Sequence, residues 1–167
     1  MNYDAWKIRQ WETPFSDIRS VTMVTLIDNN QVLEMVLEAT REEARPRWAV
    51  RFKDYPVYRN IMESYRLKLW KHLKETGQRC GNTFTVEESP WLVQFHDEEP
   101  LLAVSFPGLE HFVITTEDDV VEVLSPEAPE VEFLGPAPEG AELPGKSEVF
   151  YKPEDGLSLR DILGKDD

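Results

Sequence analysis

The sequence predicts an α+β protein: a largely antiparallel β-sheet with one long amphipathic helix, over about residues 56–76, packed on it. Three observations lead there. Short apolar, β-branched runs stand both before and after a single stretch with helical periodicity. The links between runs are short and rich in Asn, Gly and Pro, as antiparallel neighbours need. No alternation of strand and helix suggests a parallel sheet.

Taken in order, Trp6-Lys7-Ile8-Arg9 alternates apolar and basic, as a half-buried strand does. Val21 to Ile27 and Val32 to Leu37 flank Asp28-Asn29-Asn30. Asn tolerates positive φ, so a hairpin is expected there. The second run has a helical alternative, but Leu33, Met35 and Leu37 alternate with Val32, Glu34 and Val36, which favours strand. In Arg47 to Lys53, Trp48, Val50 and Phe52 point one way while Arg47, Arg51 and Lys53 point the other.

The helix is expected to start at Pro56, where a missing N–H costs nothing, and to stop at Gly77. Tyr58, Ile61, Met62, Tyr65, Leu69 and Leu73 form its stripe, with Arg59 and Glu63 as an i,i+4 pair. After it, strands are expected at Phe84–Val86, Trp91–Phe95, Leu101–Phe106, Phe112–Thr115, Val120–Leu124 and Val131–Leu134. The run Glu117-Asp118-Asp119 then forms the acidic tip of a hairpin. One domain is expected over residues 1–134, followed by a Pro/Gly-rich acidic tail, 135–167. Within that tail Ser158 caps a short amphipathic segment, and residues 157–163 are expected to dock on the domain itself or on a partner.

The 167 residues suffice for one domain with a core, and 41% apolar content argues against disorder. No run approaches the roughly 18 apolar residues of a membrane span, and the first residues lack a signal-peptide pattern. A cytoplasmic protein is the expectation. The single cysteine, Cys80, excludes an intramolecular disulfide framework and reads as an ordinary thiol.

Charge is distributed unevenly. Residues 1–79 carry a net +3, whereas residues 80–167 carry −17, giving −14 for the chain. No Lys or Arg stands between Arg79 and Lys146. Such a surface repels nucleic acid and anionic membranes, so neither is expected as a direct partner. Two explanations of the excess remain open. The carboxylates simply face water, partly offset by Lys7, Arg9, Arg47, Arg51 and Lys53 of the same chain, or they meet a basic partner.

No nucleophile, phosphate-loop, dinucleotide or zinc-protease motif is present. Among the histidines, His72 lies on the expected helix and His96 opens a polar loop, His96-Asp97-Glu98-Glu99. His111 is beside Glu110, and such a pair does chemistry only with a nucleophile or cleft at hand. With 32 acidic residues, adjacent carboxylates are expected by chance and specify no metal site. Neither metal nor cofactor is therefore expected. Trp70, among Arg66, Lys68 and Lys71, is either covered by a loop or an interface anchor.

In size, acidity and lack of catalytic motifs the chain resembles the small acidic single-domain proteins with which bacteria neutralise toxins. The expected function is accordingly a non-enzymatic interaction domain, an immunity-type inhibitor or nucleic-acid mimic, binding a basic partner. Its contact residues are expected to be Asp97, Glu98, Glu99, Glu117, Asp118, Asp119, Glu122 and Trp70. The competing expectation is a small enzyme that uses His111 or a carboxylate-bound divalent metal.

Overall fold

The computed structural model describes residues 3–145. The tail segment 157–163 lies outside them. Two antiparallel sheets form the frame. In chain order the strands are β1 (Lys7–Gln10), β2 (Val21–Asp28), β3 (Val32–Ala39), β4 (Pro46–Lys53), β5 (Val57–Met62), β6 (Thr83–Glu87), β7 (Glu110–Thr115), β8 (Asp119–Ser125) and β9 (Glu130–Pro136). One sheet runs β1-β6-β7-β8-β5 and the other β2-β3-β4-β9. Among the described residues three short helices complete the fold: α1 (Leu67–Glu75), α2 (Pro90–Glu98) and α3 (Pro100–Ser105), with a 3-10 turn at Glu63–Tyr65.

The alternation read from β3 and β4 decides how the sheets face each other. Leu33 opposes Phe52, Met35 opposes Val50 and Leu37 opposes Trp48, and all six side chains are buried. They meet Phe112, Ile114, Val121 and Val123 from the other sheet in one inter-sheet core. The opposite face of the same ladder pairs Glu34 with Arg51 and Glu38 with Arg47. The β2–β3 turn has Asn30 at φ 69°, as the Asn-rich link required.

The single long helix does not form. Residues 57–62 are instead a strand whose whole length pairs with β8, Val57 opposite Leu124 through Met62 opposite Asp119. Tyr58, Ile61, Met62 and Tyr65 fit a helical stripe, but β8 supplies ladder partners for the first three, and Arg59 finds Glu122 rather than Glu63. Only the last part of the expected helix is real. There Leu69 and Leu73 pack with Trp6, Phe84, Val86, Val113 and Val120 on the outer face of the five-stranded sheet. Gly77, at φ 66°, stops α1, with Gln78 N–H bonded to the Leu73 carbonyl.

Two further expected strands are helices. Trp91–Phe95 lies in α2 and Leu101–Phe106 covers most of α3 and its end. Each helix begins with proline at its first turn, and Ser89 Oγ accepts from Leu92 N–H as the cap of α2. Apolar runs of five or six residues carry too little periodicity to overrule such caps. The hairpin at 115–119 forms as expected: Thr116 N–H bonds to the Asp119 carbonyl and the β7–β8 ladder closes on it.

Residues 137–145 have no regular structure but are fastened to the four-stranded sheet. Arg45 donates to the carbonyls of Ala141 and Glu142 while binding Glu38 through two nitrogens.

Candidate functional site

A buried ionic cluster occupies the outer face of the five-stranded sheet. Strand alternation puts Glu122 on the same face as Val120 and Leu124, and cross-strand register puts Arg59 directly opposite it. Arg59 grips both oxygens, Nε to Oε2 and Nη2 to Oε1, each at 2.7 Å. Arg66, from the turn before α1, adds Nη2 to Oε2 at 2.8 Å. His111 of β7 adds Nε2 to Oε1 at 2.9 Å. On its other side, His111 Nδ1 stands 2.7 Å from Ser89 Oγ.

Aromatic rings enclose this chain of bonds. Trp6 and Trp91 meet the His111 ring edge-on, each with centroids 5.2 Å away. The Arg59 guanidinium lies 4.0 Å from the Trp91 ring centre. Burial is the largest influence on the Glu122 carboxyl and pushes it up. The hydrogen bonds from His111 and Arg59, with the charges of Arg59 and Arg66, outweigh that and hold it at about 2. Burial lowers His111, and the two guanidiniums act in the same direction against the pull of Glu122. The imidazole is therefore neutral near pH 7. A neutral ring donating Nε2–H to Glu122 accepts the Ser89 hydroxyl at Nδ1, so both ring nitrogens are satisfied.

Ser89 and His111 border a cavity of about 290 Å³ between the end of β6, the start of β7 and α2. Leu92, Val93 and Leu109 give it apolar walls; Glu87, Glu88 and Glu110 stand at its rim with Arg9. Arg9 is held by Glu87 at 2.6 Å.

Serine, imidazole and carboxylate in sequence have the connectivity of an acyl-transfer triad. Two features weaken that chemistry here. The carboxylate already balances two guanidiniums, which disfavours the imidazolium that a general base must become. Ser89 Oγ is also engaged as a helix cap. What the cluster does physically is tie α2 to the sheet.

The contact residues expected from sequence are scattered. Asp97, Glu98 and Glu99 are exposed at the C-terminal end of α2. Trp70 is half-buried on α1 and shares an open concavity with the expected Glu117 and Asp118, and with Glu63, which was not in the expected set. Two of the set face inward. Asp119 is buried and accepts from Asn60 Nδ2 at 3.0 Å, and Glu122 is the centre of the ionic cluster. Neither presents its carboxylate to a partner. Contrary to its expected contact role, Glu122 alternates with Val120 and Leu124 on an apolar face, where only internal cations make a carboxylate tolerable.

Ser89 was not among the expected residues, and Arg59 and Arg66, expected on the helix beside Glu63 and Trp70, bind Glu122 instead. For Ser89 the signal was present: serine followed by proline before an apolar run marks a helix start. Among the described residues no group of three or more His, Cys, Asp or Glu side chains is placed to hold a metal ion. The Cys80 thiol is pushed up by burial, against any activation. No described helix is long and apolar enough to cross a membrane. Comparison with protein-family models, curated proteins and solved structures finds no match to this chain.

Proposed function

We propose that this chain is a non-enzymatic interaction domain that binds a basic protein, in the manner of an immunity-type inhibitor or a nucleic-acid mimic. One observation carries the reading: each arginine that the first half places on a strand is engaged by a specific carboxylate of the fold. Arg45 and Arg47 bind Glu38, Arg51 binds Glu34 and Glu132, Lys53 binds Glu130, and Arg59 with Arg66 binds Glu122. Among the described residues the exposed Glu88, Asp97, Glu98, Glu99 and Glu110 take part in no such ion pair. Their negative field reaches outward, speeding encounter with a basic surface and rejecting acidic ones.

The test is capture from a native lysate on the purified chain at low salt. A basic protein should be retained and released steeply as salt rises, because screening shortens the reach of exposed charge to about 10 Å at 0.1 M. Retention that ignores salt, or none at all, sinks the reading.

A second reading, a serine hydrolase, is favoured by the Ser89–His111–Glu122 relay and the cavity beside it. A fluorophosphonate probe decides it: labelling at Ser89 that S89A abolishes would establish a reactive nucleophile, and an unlabelled protein removes this reading.

A further inference from the structure

We infer that the α2–α3 face, together with the cavity at the start of α2, is the seat for a basic amphipathic segment of the partner. The cavity takes a lysine or arginine side chain of that segment. The inference rests on the interaction reading above and names its surface.

The helices α2 and α3 carry apolar side chains that the fold leaves uncovered: Val93 is 56% exposed, Leu101 76% and Val104 78%. These uncovered apolar side chains on two consecutive short helices leave surface that a partner can bury. Asp97, Glu98 and Glu99 fall between Val93 and Leu101 in the chain, so apolar and acidic groups are interleaved on one element pair. Val93 belongs both to this set and to the cavity wall, which joins the two features.

Chemistry selects the occupant. Apolar walls at Leu92, Val93 and Leu109 suit the aliphatic stem of a lysine or arginine, while Glu88 and Glu110 at the rim suit its charged head. The single cation at the rim, Arg9, is already bonded to Glu87. A second copy of this chain is a poor occupant, because a two-fold contact would set the same acidic patch against itself. Nucleic acid and anionic lipid are repelled for the same reason. The face is also held ready: the Ser89 cap and the buried His111–Glu122 relay fix the start of α2 before any partner arrives, which lowers the ordering cost of binding.

The probe is a synthetic amphipathic helical peptide of leucine and arginine, with its leucine–glutamate counterpart as control, titrated into the 15N-labelled full chain. Saturable amide shifts are expected at Ser89, Leu92, Val93, Leu101, Val104 and Glu110, with none from the glutamate peptide. The V93S/L101S/V104S variant should weaken binding about ten-fold or more, as loss of several desolvated anchors does. E88Q/E110Q should weaken it by about three-fold or more and flatten its salt dependence, as loss of rim charges does. All are surface changes, and an unchanged circular dichroism spectrum verifies the fold. Shifts centred on Trp70, Glu117 and Asp118 would overturn this assignment while leaving a basic partner standing. Equal binding of the glutamate peptide, or a concentration-dependent dimer abolished by L101D, would overturn it too. If neither the peptide nor a lysate yields a basic ligand, both readings fall.

Discussion

Arg66 and Glu122 are joined at 2.8 Å across the outer face of the five-stranded sheet, with side chains 1% and 0% exposed. The pair is unequal. Glu122 receives bonds from Arg59, Arg66 and His111, whereas Nε and Nη1 of Arg66 have no hydrogen-bond partner among the described residues and the Tyr3 ring faces that guanidinium, 5.3 Å away. A buried carboxylate with several donors is well compensated, but a buried guanidinium with two idle donors is not.

The two ends of this bond should therefore respond differently to substitution. Glu122→Gln leaves two guanidiniums facing each other without an anion, and should cost about 3–5 kcal/mol in urea unfolding. Arg66→Met removes the poorly satisfied partner and leaves Glu122 with Arg59 and His111, so its cost should fall within about 1 kcal/mol of zero. Equal losses in the two variants would show that Arg66 is satisfied in solution in some other way.

The cluster also fixes a pH dependence. His111 is lowered in the fold by burial and by Arg59 and Arg66, so below the ordinary histidine value of about 6.5 the unfolded chain binds a proton that the folded chain refuses. Stability contributed by this group is complete above that value and is lost as pH falls. Glu122, held at about 2 against an ordinary 4.5, continues the loss between those two values. Urea midpoints for the wild type and His111→Gln should differ in slope as pH falls below about 6.5, where the wild type alone loses this contribution. Parallel curves throughout would show that His111 titrates normally.

Ser89 links two stabilising roles, and its removal separates this network from a chance contact. Ser89→Ala deletes the cap of α2 and strands the buried Nδ1 of His111, together about 2–4 kcal/mol. Hydrogen exchange should quicken in residues 91–95 of α2 more than in β7, because the cap fails locally before the sheet does. A loss under about 0.5 kcal/mol would mean the hydroxyl is replaceable by water.

What the sequence made legible follows from where a single period governs. In β3 and β4 one face is packed on the other sheet and one is ionic, so alternation identified Leu33, Met35 and Leu37 as one strand's face and Trp48, Val50 and Phe52 as the other's, and β3–β4 pairing joins them in the inter-sheet core. Residues 57–62 were illegible because their pattern fits both periods and the deciding partner, β8, lies some sixty residues away. Val57 opposite Leu124 is tertiary information. The helices α2 and α3 differ again: their caps, Ser89-Pro90 and Pro100, were readable locally but competed with apolar runs that mimic strands. Of the expected contact set, Asp97, Glu98, Glu99 and Glu117 are exposed and Asp118 is half-buried. Asp119 and Glu122, within a strand, turned inward to Asn60 and to the arginines.

Gly81 offers the sharpest steric prediction. It follows Cys80 and sits where the loop before β2 crosses the entry to β6: Asn82 N–H bonds to the Ser16 carbonyl at 2.7 Å, and Asn82 Nδ2 reaches the carbonyls of Phe15 and Ile18. A Cβ at residue 81 would lie 2.3 Å from that same Ser16 carbonyl oxygen. Backbone on both sides of the clash is tied by hydrogen bonds, so the contact cannot be relieved by a side-chain rotation. Gly81→Ala should cost about 1–3 kcal/mol or more, in the manner of an overpacked core site. Gly108→Ala is the control, since nothing lies within 4 Å of its Cβ, and it should change stability by less than about 0.5 kcal/mol. If the two variants unfold at the same urea concentration, the close approach of the loop to Gly81 is wrong, and with it the hydrogen bonds that fasten residues 15–18 to the five-stranded sheet.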